Sequence, residues 1–267
     1  MRSCADVVWP FCASATRYPV RSQGSSSSRR GVVLVEGRRN IELVRLELSQ
    51  KLLALPSVDV WAAGRQGVCM GLQAMARQTQ AVQFVMRSAS ITDLDAAGLQ
   101  WDGQIQSQHQ SAFAGVHMAL QSERRELPEP VKVFHVSQRS NLDFIPLAKA
   151  IATELRWTPA GQVLAVESLL VGKAKNVWTR AFSLARAVSQ VYDWQVNPRA
   201  AGAQRPFQCV AQERAVDMEL DVTNSMEGSA ARGKQPRALR LVLLAHGEPP
   251  ARADGSPRNR KASETEG

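Results

Sequence analysis

One pattern constrains this chain more than any other feature. Short apolar strands and amphipathic helices occur in the same order twice. The first pass opens with Val32-Val-Leu-Val35, a β-type run, followed by Gly37-Arg-Arg-Asn40, where Asn40 suits a helix N-cap. Ile41, Val44, Leu48 and Leu52 then recur at helical spacing and stop near Pro56. Val58-Asp-Val-Trp61 alternates like a strand, and Gly64-Arg-Gln-Gly67 reads as a turn. Val68, Leu72, Met75, Ala76 and Thr79 form the face of a second helix. Residues 83–92 and 112–120 read as two strands joined by a long polar connection.

The second pass repeats that order. Val131 to Val136 alternates as a strand, and Asn141 ends the following loop as another cap. Phe144, Leu147, Ala148, Ile151, Ala152 and Leu155 give one helical face, with Pro146 in the first turn, where its missing N–H costs little. Residues 163–166 form the second strand. After Gly172-Lys-Ala-Lys175 comes a helix with Val177, Trp178, Ala181, Leu184, Ala185 and Val188 on one face. Residues 207–222 read as a long strand and 239–245 as its return. The predicted fold is α+β, two tandem β-α-β-α-β-β modules with disordered N- and C-terminal tails.

Punctuation sets the boundaries. Residues 1–30 are rich in Arg and Ser with Asp6 as the one acid, which suits a disordered leader or a transit peptide. The modules span 31–125 and 130–248, divided at Leu127-Pro-Glu-Pro130. Residues 249–267 carry no large apolar side chain and read as a disordered tail. A chain of 267 residues accommodates this division.

The second module resembles the stage V sporulation protein S family, a branch of the Alba-like superfamily. The resemblance rests on VKVFHVSQRSNLDFIPLAKAIATELR, VLAVESLLVGKAKNVWTRAFSLARA, VDMELDVTNSMEG and LRLVLLAHGEP, within 131–249. The first module is similar more faintly, through VDVWAAGRQGVCMGLQAMARQ. Polar sequence between Val191 and Pro206, and the fusion of two copies, depart from the family pattern. The resemblance implies two Alba-like modules and nucleic-acid binding, often by dimers. It also implies that the loop after the first strand, the turn before the second helix and the hairpin tip share one binding side, with Arg139 at the family's basic loop position.

The chain's own charge points the same way. A net charge of +9 favours acidic partners, nucleic acid first. In the second module Arg139, Lys173 and Lys175 are loop cations, and the connection from Gly228 to Arg240 holds Arg232, Lys234, Arg237 and Arg240 without an acid. Lys173 and Lys175 flank a helix N-terminus, whose free N–H groups favour phosphate. In the first module Arg38, Arg39 and Arg65 keep two loops basic, but the connection from Asp93 to Ser111 carries Asp93, Asp95 and Asp102 and no cation. The second module is therefore expected to dominate binding to DNA or RNA, electrostatically and with weak sequence selectivity.

Trp61 and Trp178 fall in apolar patterns and read as core or interface, whereas Trp101 has polar surroundings. Asp217, Glu219 and Asp221 read as a solvated strand face. Cys69 and Cys209 sit among apolar neighbours, as buried free thiols do, and the four cysteines suit a reducing compartment. No nucleotide-binding, nucleophile-elbow or zinc-protease fingerprint occurs, so the expectation is non-enzymatic, with no cofactor and no metal. No membrane partner is expected. Localisation is expected to be intracellular, in cytoplasm or nucleus, or in an organelle if the leader is a transit peptide. Self-association is expected as a homo-oligomer or an intramolecular pseudo-dimer. The competing function is a structural or regulatory interaction protein whose modules pair with each other or a partner without binding nucleic acid.

Overall fold

Alternating apolar residues make each short run a strand with one face turned to a helix layer. The computed structural model describes residues 31–37, 39–79, 81–90, 93, 115–122, 127–136, 144–196, 206–216 and 236–246. Strand β1 is Gly31–Val35 and helix α1 is Ile41–Ala54, capped by the Asn40 side chain, which accepts from the Glu42 N–H at 2.8 Å. Strand β2 (Ser57–Ala63) runs directly into α2 (Gly64–Ala76). Strands β3 (Val82–Ala89) and β4 (Gly115–Ser122) complete the first half. The second half comprises β5 (Lys132–His135), α3 (Ile145–Trp157), β6 (Val163–Leu169), α4 (Ala174–Val196), β7 (Phe207–Ala215) and β8 (Arg237–Ala245).

Among the described residues the architecture is α+β, four helices with one mixed eight-stranded sheet in the order β1-β2-β4-β3-β7-β8-β6-β5. Within each half the first two strands are parallel and the rest antiparallel. The two halves of the chain are thus not separate bodies. They share the sheet, and one apolar cluster runs from Val33 and Leu48 through Phe84 and Cys209 to Leu241 and Ile151.

The halves agree in register as well as in order. Strands β2 and β6 have equal length. Aligned on their ends, Trp61 corresponds to Glu167. Trp61 pairs with His117 and Glu167 with Arg240, so these partners are counterparts too. Carried one strand further, Phe84 corresponds to Cys209, and those two residues pair across the β3–β7 seam. A local two-fold axis therefore passes between them. Its flanks also repeat chemically, as Gln83-Phe84-Val85 and Gln208-Cys209-Val210.

The hydrogen-bonded seam is short, and helices reinforce it. Helix α2 of the first half packs on β7, α4 of the second packs on β3, and the two helices pack on each other. Arg77, just past α2, donates from Nε to Glu213 of β7 at 2.9 Å. Ser88 and Ser189 meet at 3.2 Å. On the other sheet face, Leu127 packs against Val163, Val210, Val242 and Leu244, so the inter-module segment lies across that face.

Two sequence expectations need correction, and a third falls partly outside the described residues. The predicted turn at Gly64-Arg-Gln-Gly67 is the first turn of α2, with the direction change taken at Gly64 alone, φ +64°. Strand β7 ends at Ala215, and 217–222 lie outside the described residues. Strand β8 begins at Arg237, so Arg237 and Arg240 are strand residues and not part of a free connection. The predicted tails, Asn141 and Trp101 lie outside the described residues.

Candidate nucleic-acid interface

Strand direction gathers the loops. In the first half Ala63 and Ala89 both pair with Gly115, so the β1–α1 loop, the β2–α2 junction and the β3–β4 connection share one end of the sheet. In the second half Leu169 pairs with Ala238 and Ala215 with Arg237, which puts the matching loops at one end too. Because β3 and β7 are antiparallel, the two loop ends point in opposite directions.

The end belonging to the second half is basic. Lys173 and Lys175 are exposed at the start of α4. The Lys173 carbonyl accepts from the Asn176 and Val177 N–H groups at 2.9 and 3.2 Å, so Lys173 caps the helix with its backbone and leaves its ammonium outside. Gly172, at φ +101°, makes the bend into this cap. Arg180 reinforces the turn from below. It is buried, and its guanidinium donates to the carbonyls of Leu169 (2.9 Å) and Val171. Burial holds its pKa below the usual arginine value. Arg237 opens β8 at this same end, exposed, with Nη1 3.3 Å from Glu213 Oε2. Arg139, Arg232 and Lys234 lie outside the described residues.

The opposite end has different electrostatics. Arg65 is exposed in the first turn of α2. Arg39 is committed inward: Nη1 donates to the Leu34 carbonyl and Nη2 to Glu47, both at 2.7 Å. Lys51 donates likewise to the Val32 carbonyl and pairs with Glu47 at 3.1 Å. Together these side chains cap alternate carbonyls of β1, an edge strand, and Arg39 spends its charge there. Arg38, Asp95 and Asp102 lie outside the described residues. Asp93 accepts from the Ser90 N–H at 2.7 Å and its hydroxyl at 2.6 Å. Helix α4 adds Asp193, whose carboxyl is pushed up by burial, against the lowering effect of its bond to Ser88.

Arg240 does not join the basic end. It is 6% exposed on the sheet, and Nε donates to Glu167, the carboxylate directly across from it. Arg214 and His135 stand 3.5 and 3.7 Å from the same carboxylate. The counterpart positions in the first half hold a different polar group. His117 Nε2 lies 3.1 Å from Asp59, Arg87 Nε donates to His117 Nδ1 at 3.2 Å, and Trp61 stacks on the imidazole at 4.3 Å. Sequence reading missed both groups, because partners from four strands around Glu167 and from three around His117 become neighbours only through register. Trp61 lies half-buried within this network, and Trp178 packs against the main apolar cluster.

Among the described residues no helix is long and apolar enough to cross a membrane, and no group of three metal-ligating side chains occurs. No family model, curated protein or solved structure matches the chain.

Proposed function

We propose that this protein binds nucleic acid, without catalysis, through two tandem Alba-like modules of which the second carries the contact surface. The observation that carries the reading is the pair Lys173 and Lys175, exposed at the N-terminal end of a 23-residue helix and on the same sheet end as Arg237. Ammonium groups and free helix N–H groups both favour phosphate there. The Alba-like assignment draws support from the β-α-β-α-β-β order repeated in both halves with matching registers. Arg39 and Arg240 leave the proposed surface, since their guanidinium groups are already engaged. Arg139, Arg232 and Lys234 stay in it as sequence-based candidates, as does Arg38 at the weaker end with Arg65.

Mobility shift with duplex DNA and with RNA tests the proposal on the full chain. Contacts to about six phosphates give a slope of roughly −5 in log K against log salt for duplex DNA. Lys173→Ala/Lys175→Ala is expected to flatten that slope by about 2, and Arg232→Ala/Lys234→Ala/Arg237→Ala by about 3. Arg65→Ala is expected to change it by no more than about 1. Wild-type protein that binds neither nucleic acid would sink the proposal and leave the interaction-protein reading. Unchanged binding by both multiple variants would remove the second module's loop end as the site.

A further inference from the structure

We propose that Glu213 is an internal anion that competes with phosphate for Arg237, and that Arg77, a positioning residue from the other half of the chain, sets the outcome of that competition. This control rests on the proposed nucleic-acid site and adds a means of regulating it. Among the described residues Glu213 pairs with two cations. Arg77 donates to Oε1 from Nε at 2.9 Å, and Arg237 stands with Nη1 3.3 Å from Oε2. The carboxylate side chain is 7% exposed, that of Arg77 33% and that of Arg237 64%. Arg77 is held in turn by Glu42 of α1, which lies 3.1 Å from its Nη1.

The unequal grip on the two cations decides which one leaves. Arg77 has the shorter bond, a second carboxylate and the deeper position. Arg237 has the longer bond and most of its side chain in solvent, on the sheet end that carries Lys173 and Lys175. A buried carboxylate left without a cation is costly. With Arg77 in place, Glu213 stays paired when Arg237 turns to a phosphate. Without Arg77, the same turn strands the carboxylate, so Arg237 stays on Glu213. The first half thus tunes a contact made by the second, across the seam. The fold itself does not require a carboxylate there. The matching position in the first half is Ser88, whose hydroxyl meets Ser189.

Salt-dependent mobility shift on the full chain, with duplex DNA and with RNA, compares wild type, Glu213→Gln, Arg77→Gln and the double variant. Glu213→Gln is expected to tighten binding about threefold, since an exposed ion pair no longer opposes the release of Arg237. Arg77→Gln is expected to weaken binding about fivefold at about 0.15 M salt and to flatten the salt slope by about 1, as the loss of one phosphate contact does. In the double variant the Arg77 effect is expected to vanish, because no carboxylate remains to be stranded. Arg77→Lys keeps a donor for Glu213 and is expected to bind as wild type does. Without nucleic acid, modification of Arg237 by an arginine-specific dicarbonyl, followed by mass spectrometry, is expected to run fastest in Glu213→Gln and slowest in Arg77→Gln. An Arg77→Gln loss of equal size in the Glu213→Gln background would mean that Arg77 acts through its own charge alone, and overturns the proposal. Wild-type binding that Glu213→Gln leaves unchanged overturns it too, while keeping the nucleic-acid reading. A wild type that binds neither nucleic acid brings down that reading and the proposal together.

Discussion

Glu167 and Arg240 face one another on adjacent strands, with side chains only 9 and 7% exposed. Two ions taken from water at such a site gain stability only if each keeps the other. Arg240→Ala is therefore expected to destabilise the protein by about 2–4 kcal/mol, because it strands a buried carboxylate. Arg214 and His135 stand near enough to soften that loss. The double variant Glu167→Leu/Arg240→Leu removes both charges and is expected to unfold within about 1 kcal/mol of wild type. Urea unfolding of both variants checks the pair; a double variant as damaged as the single one would show that the ions themselves stabilise the sheet. The same burial explains why Arg240 drops out of a phosphate-binding surface that charge alone had suggested. A guanidinium in a chain segment looks identical whether the segment ends in solvent or in the centre of a sheet.

At the scale of elements, the contact between α2 and α4 has a measurable titration. Cys69 of α2 is buried in the main apolar cluster, near enough to Arg180 of α4 to feel its charge, and its thiol is pushed up to about 12 by burial and secondarily by the Glu213 carboxylate. The folded state thus favours the neutral thiol. Its contribution is fully present below the unfolded thiol pKa of about 8.5 and is lost as pH rises toward 12. Between pH 8 and pH 10.5 wild type is expected to lose about 2 kcal/mol more stability than Cys69→Ala. Equal losses in denaturant unfolding at the two pH values would contradict this placement of the thiol. Elements of this kind were largely legible in the sequence. Ile41, Val44, Leu48 and Leu52 specified α1, and Asn40 marked its start, because helical periodicity and capping act over a few neighbouring residues. Gly64-Arg-Gln-Gly67 misled for a local reason: two glycines suggest a turn, yet Gly64 alone takes positive φ and the helix begins there. Gly67 is small for a tertiary reason instead, since a Cβ on it would come 2.6 Å from the Val35 carbonyl. The basic site was half legible. Lys173 and Lys175 project from a helix start that local pattern reveals, whereas the commitment of Arg39 depends on Leu34 and Glu47, which only the fold brings near.

At the scale of the whole molecule, the seam decides how the chain folds. The boundary at 127–130 divides the sequence but not the core, because α2 rests on β7 and α4 on β3. Either half alone would uncover the inner edge of its sheet and the helix face that crosses the seam. Phe84 and Cys209, paired on the local two-fold axis, are 1 and 0% exposed, so each half lends the other part of its interior. Removing Phe84 should therefore be felt in both halves. Phe84→Ala is expected to cost about 3–5 kcal/mol through lost burial and the cavity left behind. That cost should appear as an earlier midpoint of one cooperative transition, not as early melting of the first half alone. Trp61 reports on the first half and Trp178 on the second, so variants that keep one of these as the sole tryptophan, the other five of the chain's six being replaced by Phe, can follow each half separately by fluorescence. Coincident midpoints, both shifted by Phe84→Ala, are the expected result. A second-half signal that keeps its wild-type midpoint while the first half melts early would mean that the seam joins two independently stable units. The opposed loop ends would then be free to move relative to each other, and a basic end of the second half held fixed against the first would no longer describe the molecule.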